Sequence, residues 1–596
     1  MMLRLQSLGF GFVLIAAFTA PSFSAAQIIE PSVTGPAIAP IETDAPAQMR
    51  VLSEADAALY RDIFDLQKDG RWAAADKKIA ALENDILLGY VEYQRYMHPT
   101  AYRSQFSELK RWMSYYADHP EADKIYSLAR KRRPGGQSNP VRPIPRKWKA
   151  LAEKELHPDL IADYERTSKP RLNRIEGRVR YLSNKSRAVE ALREIEDHVK
   201  RGTITERQFD RMRSWIAASL YYQGYVETAE TIANEAAARN GESAVLAHWI
   251  GGLIEFRNGN IAAAHNHFSS MAAVPYQEDS LRAAAGFWAA RTALAGGHPA
   301  DVTPNLEIAA AFPFTFYGQL ALAQLGRDYE YNWTTPSITQ TAFNDLIENE
   351  PRIKRAVALV EAGQKSLADV ELRWVNGSIE DDKIAGLLAV AMTLGLPAAQ
   401  IDIALSGEGR ELEAGLFPVP DFTPESGFKV DRALLYALMR QESKFKTDAT
   451  SRVGARGLMQ LMPRTASFIS GDRSLQRVSG REKLYDPSFN MELGQNYVDH
   501  LMTRAVDGDL FHLAAAYNGG PGNLRRWKRD VEIEDPLLFI ESIPNRESRD
   551  FVEKVLTNFW VYRARLGQPA PSREKVAAGE LPLYEAIDQI AGQTAQ

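Results

Sequence analysis

The feature that most narrows what this chain can fold into is an internal repetition. Trp215 is followed by Gly224 and Ala229, Trp249 by Gly259 and Ala264, and Trp288 by Gly297. A large residue on one helix, a glycine at the turn and small residues on the next describe a helical hairpin. The spacing is close to that of tetratricopeptide repeats. Small residues let paired helices approach, and the tryptophan fills the gap between layers. Stacked hairpins of this kind curve into a superhelix. From about residue 50 to 420 the pattern stays helical, with Ala/Leu-rich stretches broken at Gly and Pro and little strand-like alternation. The expected fold class is all-α.

Composition adds exclusions. With 596 residues the chain can bury a sizeable core across several domains. It has no cysteine, which removes disulfides, thiolate metal sites, cysteine nucleophiles and lipid anchoring through an N-terminal cysteine. A net charge of −5 gives no bulk attraction to nucleic acid or anionic lipid, and leaves room for a local positive groove.

The N-terminus reads as an export signal: Arg4, an apolar run from Leu8 to Ala20, and Ser24-Ala25-Ala26 at a cleavage site before Gln27. An uncleaved anchor is the alternative. Pro31, Pro36, Pro40 and Pro46 mark an extended linker. Residues 131–149, KRRPGGQSNPVRPIPRKWK, are basic and proline-rich. A solvated loop is the first reading and a contact for an anionic polymer the second. Export argues against nucleic acid as that polymer.

Chemistry concentrates after the Gly/Pro-punctuated stretch 407–427. Residues 440–463 read RQESKFKTDATSRVGARGLMQLMP. Leu434, Leu438 and Glu442 share one helix face, so Glu442 stands where an apolar side chain was due, near the helix C-terminus. Desolvation and the negative end of the helix dipole would raise its pKa. An acid that stays protonated near neutrality can protonate a glycosidic oxygen. Taken alone, Glu442 also fits a surface glutamate paired with Arg440 or Lys444. Gly454 and Gly457 allow a tight turn and close backbone approach before Leu458-Met459-Gln460-Leu461-Met462-Pro463. Met459 and Met462 offer apolar surface for packing or a sugar face, and Gln460 a donor and an acceptor. Residues 515–522, AAYNGGPG, bring Tyr517 and Asn518 to a helix C-terminal turn at Gly519-Gly520, and ESIPNRESR follows at 541–549.

Glu-Ser, Gly-Leu-Met-Gln-x-Met-Pro and Ala-Tyr-Asn-Gly-Gly, in that order, resemble the soluble lytic transglycosylases. The resemblance is strong over 430–562 and weak over 50–420. It implies a goose-lysozyme-like catalytic domain behind a helical superhelix. Expected bounds are a signal peptide at 1–26, a linker at 27–49, the superhelix at 50–349, a linker helical domain at 350–425, the catalytic domain at 426–566 and a tail at 567–596. The expected activity is non-hydrolytic cleavage of the bond between N-acetylmuramic acid and N-acetylglucosamine, leaving 1,6-anhydro ends. Glu442 would be the sole catalytic acid and then base. Ser443, Ser451, Gly457, Met459, Gln460, Met462, Tyr517, Asn518, Glu547 and Arg549 form the expected substrate-binding set. Phe551 stands where relatives often carry Tyr. Asp448, Asp486 and Glu492 fall in no motif as a second carboxylate, and most glycosidases need two. A single glutamate implies that the substrate provides the second function, and the resemblance implies that its 2-acetamido group and 6-hydroxyl do so.

The alternatives are a hydrolytic muramidase on the same fold, and a repeat protein whose lysozyme-like domain only binds glycan. There is no His-Glu-x-x-His, phosphate loop or Gly-x-Ser-x-Gly elbow. His265 and His267 read as satisfied repeat residues. No metal or cofactor is expected. The expected partner is the peptidoglycan glycan strand, without nucleic acid or a stable membrane anchor, and the expected location is the periplasm.

Overall fold

The hairpins form where the sequence places the glycines. In the computed structural model, which describes residues 47–147, 169–275 and 277–588, Gly224, Gly259 and Gly297 all adopt left-handed φ of 74–87° at helix ends. Each joins two helices of a pair: Glu206–Tyr221 to Val226–Asn240, Val245–Arg257 to Ile261–Ala272, and Asp279–Ala295 to Val302–Ala310. Thr205 opens the first with a reciprocal cap to Gln208. Ala229 and Ala264 are fully buried between layers. Trp249 and Trp288 meet edge-on at 6.3 Å in the core. Trp215 does not share their position: it is half-buried, and Arg180 lies over its ring at 4.3 Å. Two unflagged glycines set the closest approach. A Cβ on Gly251 would stand 2.8 Å from the His267 ring, and one on Gly252 2.6 Å from Phe268. His265 bonds the Ala289 carbonyl and Thr292, and His267 meets His248, so both histidines are internal packing groups.

Among the described residues β structure is confined to isolated bridges, so the chain is all-α as expected. The signal peptide and nearly all of the proline-rich linker lie outside the described residues. No described helix is long and apolar enough to cross a membrane.

The hydrophobic cores cut across the linear divisions of the sequence. One joins residues 52–91 to 338–412. There the Tyr90 hydroxyl donates to Glu371 at 2.8 Å, and Arg352 and Arg355 flank the same buried carboxylate. A second, larger core runs from Ile175 through the repeats into Val430–Ala577. Phe316 of the repeats stacks on Trp560 at 5.3 Å, and the Tyr221 hydroxyl lies 2.7 Å from Ser542 Oγ. The C-terminal tail packs as well. Buried Asp431 pairs with Arg563 and accepts the backbone N–H groups of Ile587 and Asp588. Residues 589–596 lie outside the described part.

Candidate functional site

Glu442 is the last residue of the helix Arg432–Glu442. Leu434, Leu435, Leu438 and Met439 bury the helix body against Arg546–Arg565. Ser443 caps it, and Lys444 and Phe445 follow with left-handed φ of 48° and 59°, which turns the chain sharply away. Neither cation of the alternative reading pairs with Glu442. Arg440 is drawn inward, donating to the Leu416 carbonyl and Asn558 Oδ1 at 2.8 Å each and lying over Phe417. Lys444 is exposed. The Glu442 carboxyl has no hydrogen bond or ion pair among the described residues. Burial, seconded by the charge of Glu547, pushes its pKa up to about 8.

The glycine-rich segment folds into a tight loop held by antiparallel bridges from Arg456 to Thr450 and Leu461. Gly457 has φ +76°, and a Cβ there would stand 2.1 Å from the Leu484 carbonyl oxygen. Only glycine fits both the backbone and the space. Gln460 is itself left-handed at φ 46°, and its amide nitrogen donates to the carbonyls of Gly457 and Ala449 at 2.8 and 3.1 Å. Part of its expected binding capacity thus shapes its own loop, leaving the amide oxygen. The two methionines divide their roles: Met459 is fully buried against Gly494, while Met462 is 39% exposed.

Tyr517 closes the constellation. It lies in the last turn of the helix Leu510–Gly519, donates its hydroxyl to the Met459 carbonyl at 2.8 Å, and stacks on Phe551 at 6.2 Å. Burial raises its pKa far above the usual range, and the nearby Glu442 charge raises it further. Asn518 Oδ1 accepts from Ser548 Oγ at 2.6 Å. Glu547 is exposed in the first turn of Arg546–Arg565 and faces Glu442 electrostatically.

Three further members of the expected binding set are also engaged within the protein. The Ser443 hydroxyl is buried and donates to the Met439 carbonyl. Ser451 Oγ accepts the Ala455 N–H. Arg549 is 9% exposed, donates to the Ile543 carbonyl and lies 3.4 Å over the Tyr222 ring. Its position ties the C-terminal segment to the repeats.

Sequence reasoning missed Asn490. It is fully buried in the helix Pro487–Arg504. Its Oδ1 accepts the Met459 N–H at 2.8 Å, and its Nδ2 donates to the carbonyls of Leu484 and Arg456 at 2.8 and 3.1 Å. An asparagine set among Phe489, Met491 and Leu493 at the helix start was the available signal. A second omission is the buried carboxyl pair of Glu541 and Glu553. Burial raises both pKa values, and the Tyr317 hydroxyl donates to Glu541.

This geometry is a partnerless, half-buried carboxyl above a loop pinned from two helices, at the end of a helical array. Residues 422–539 match the family described as Transglycosylase SLT domain. Over 143 residues the chain is 36% identical to the soluble lytic murein transglycosylase of Escherichia coli strain K12, an alignment spanning 24% of this chain and 22% of that protein. It is 31% identical over 159 residues to membrane-bound lytic murein transglycosylase C of Shigella sonnei, covering 23% of this chain and 44% of that one. These sequence matches therefore span less than half of each relative's length. The fold likeness is wider. The crystal structure of the 70 kDa soluble lytic transglycosylase of Escherichia coli aligns over 86% of this chain and 97% of its own, with 18% identity and a TM-score of 0.52.

Proposed function

We propose that this protein is a peptidoglycan lytic transglycosylase that cleaves the β-1,4 bond between N-acetylmuramic acid and N-acetylglucosamine. The observation that carries the reading is Glu442: an unpaired carboxyl, desolvated enough to hold its proton at neutral pH, beside the Gly457–Gln460 loop and Tyr517. The matched Transglycosylase SLT domain supports it.

In the proposed reaction Glu442 gives its proton to the bridging oxygen as the bond from muramyl C1 breaks. The substrate's 2-acetamido oxygen stabilises the electron-poor C1. Glu442, now a carboxylate, takes the proton of the muramyl 6-hydroxyl while O6 bonds to C1. The 1,6-anhydro ring closes, no water is consumed, and Glu442 ends protonated as it began. One residue serves as acid and base in turn. Gln460, Met462, Tyr517 and Asn518 would position the sugars. The export signal expected at 1–26, taken together with the transglycosylase reading, supports a periplasmic location.

Mass spectrometry of products from purified sacculi tests the reading. Muropeptides lacking one water at the muramyl end are expected. Reducing ends with the full mass would assign the hydrolytic muramidase instead, and no release at all would leave a glycan-binding protein.

A further inference from the structure

The basic, proline-rich segment has a place in the fold that the proposed reaction does not use. Residues 101–147 hold eleven Lys and Arg against four Asp and Glu, in a chain of net charge −5. The segment beyond the helix Ala122–Arg132 runs back along Phe106–Tyr115 and encloses an open groove of about 650 Å³. Gln105, Gln137 and Asn139 line it with amides, Phe106 and Pro134 with apolar faces, and Lys110 with a cation. Among the described residues the charge there is not cancelled locally. Lys110 sits over the Phe106 ring and donates only to Ser138 Oγ, at 2.8 Å. Arg133 reaches neutral oxygens of Gln137 and Asn139. Arg142, next in the chain to Val141 of the groove lining, is exposed and has no acidic partner among the described residues. The nearby acids are occupied: Glu92 pairs with Arg111, and Glu108 accepts from Tyr102 and the Gln105 N–H.

The segment also leads toward the candidate site. The Ile144 N–H bonds the Ala117 carbonyl at 2.8 Å, and Arg146 donates to the Arg373 carbonyl. Arg373 lies near the C-terminal end of the helix Lys365–Val375, whose other end meets the loop after Glu442, where Ser366 and Thr447 hydroxyls lie 2.9 Å apart. Asp369 and Asp402 partly offset Arg373 and Lys446 along this path, while Lys444 stays exposed. Pro134, Pro140, Pro143 and Pro145 stiffen the segment, so little order is lost when a ligand settles on it.

We propose that this groove is a second, non-catalytic subsite, which holds the carboxylate-bearing peptide side chains of a glycan strand whose sugars reach the Glu442 site. Amides face peptide amides, the Phe106–Pro134 surface takes an apolar face, and Lys110 with Arg142 takes carboxylates. The inference rests on the peptidoglycan reading and deepens it.

The test is co-sedimentation of the full-length Glu442→Gln protein with purified sacculi, and with glycan strands stripped of peptide by an amidase. The double change Lys110→Glu and Arg142→Glu should weaken binding to peptide-bearing sacculi by about five- to tenfold at low salt. The difference should shrink as salt rises, and binding to stripped strands should not change. Thermal melting checks the fold, and Lys110→Gln with Arg142→Gln serves if the reversal unfolds. Unchanged binding of the folded variants to sacculi would overturn the proposal. So would equal losses on stripped strands, or an oligonucleotide binding the unreversed protein as tightly as sacculi do. Failure of the catalytic reading shows elsewhere, as absence of anhydro product from the wild-type enzyme, and leaves this binding contrast measurable.

Discussion

The Tyr517 hydroxyl donates a 2.8 Å hydrogen bond to the Met459 carbonyl, while the Met459 N–H is held at 2.8 Å by Asn490. One residue of the glycine-rich loop is thus fixed from both sides by two helices that are distant in sequence. That clamp sets the floor beside Glu442, and the consequences can be measured.

Glu442→Gln should lower turnover by more than about 100-fold with glycan binding retained, as expected for loss of general acid catalysis. The same change should stabilise the fold. A carboxyl whose folded pKa stands at about 8 costs stability as pH rises from its unfolded value toward 8. The gain at pH 7 should be on the order of 1–3 kcal/mol and vanish near pH 4. Paired melting curves at the two pH values check it, and near-wild-type turnover would remove Glu442 from the chemistry.

Glu547→Gln addresses pH dependence. The negative charge of Glu547 helps hold the Glu442 proton. Activity should fall as pH rises through about 8, where the acid form is lost. Without Glu547 the alkaline limb should move to lower pH, with the maximum rate at acidic pH little changed. A limb that stays in place in the pH–rate profile would show that Glu547 does not act on the proton.

Tyr517→Phe and Gln460→Ala remove positioning hydrogen bonds, each worth about 0.5–1.5 kcal/mol. Both should reduce turnover less than Glu442→Gln. Steady-state kinetics on one soluble oligosaccharide compare the three; an equally severe loss with intact fold would assign a chemical role.

Asn490→Ala strands the Met459 N–H and two carbonyls in a buried place. Destabilisation of about 2–4 kcal/mol is expected. In the folded fraction kcat should fall and the alkaline limb shift, because the Met459 floor and Tyr517 move relative to Glu442. Wild-type kinetics per folded molecule would confine Asn490 to stability.

Glu553→Gln tests the junction with the repeats. Glu541 and Glu553 are buried together with the Tyr317 hydroxyl, Arg549 close by, and Asp550 and Lys554 on the same helix. Both carboxyls have raised pKa values, so their contribution is full below the unfolded carboxylate range and is lost as pH rises above it. The variant should therefore flatten the loss of melting temperature between about pH 5 and 9. An unaltered pH slope would mean that the pair is not what weakens the fold on the alkaline side.

Sequence alone was sufficient for whatever depends on neighbours along the chain. Hairpin turns were legible because a left-handed residue at a helix end calls for glycine, as at Gly224, Gly259 and Gly297. The need for Gly457 was legible for the same local reason, whereas left-handed Lys444 and Phe445 after the Glu442 helix carry no such mark. Tertiary structure decided the rest. Whether Arg440 meets Glu442 or turns inward to Asn558, 118 residues away, depends on what packs there. So do the stacking of Arg549 on Tyr222 and the burial of Glu541 with Glu553. The joining of residues 52–91 to 338–412 in one core likewise leaves no mark in either segment's own periodicity. A helical pattern fixes which face is apolar, and many partners can satisfy that face. Desolvation, which gives Glu442 its raised pKa, is a property of the groups that cover it, and only the folded chain brings them together.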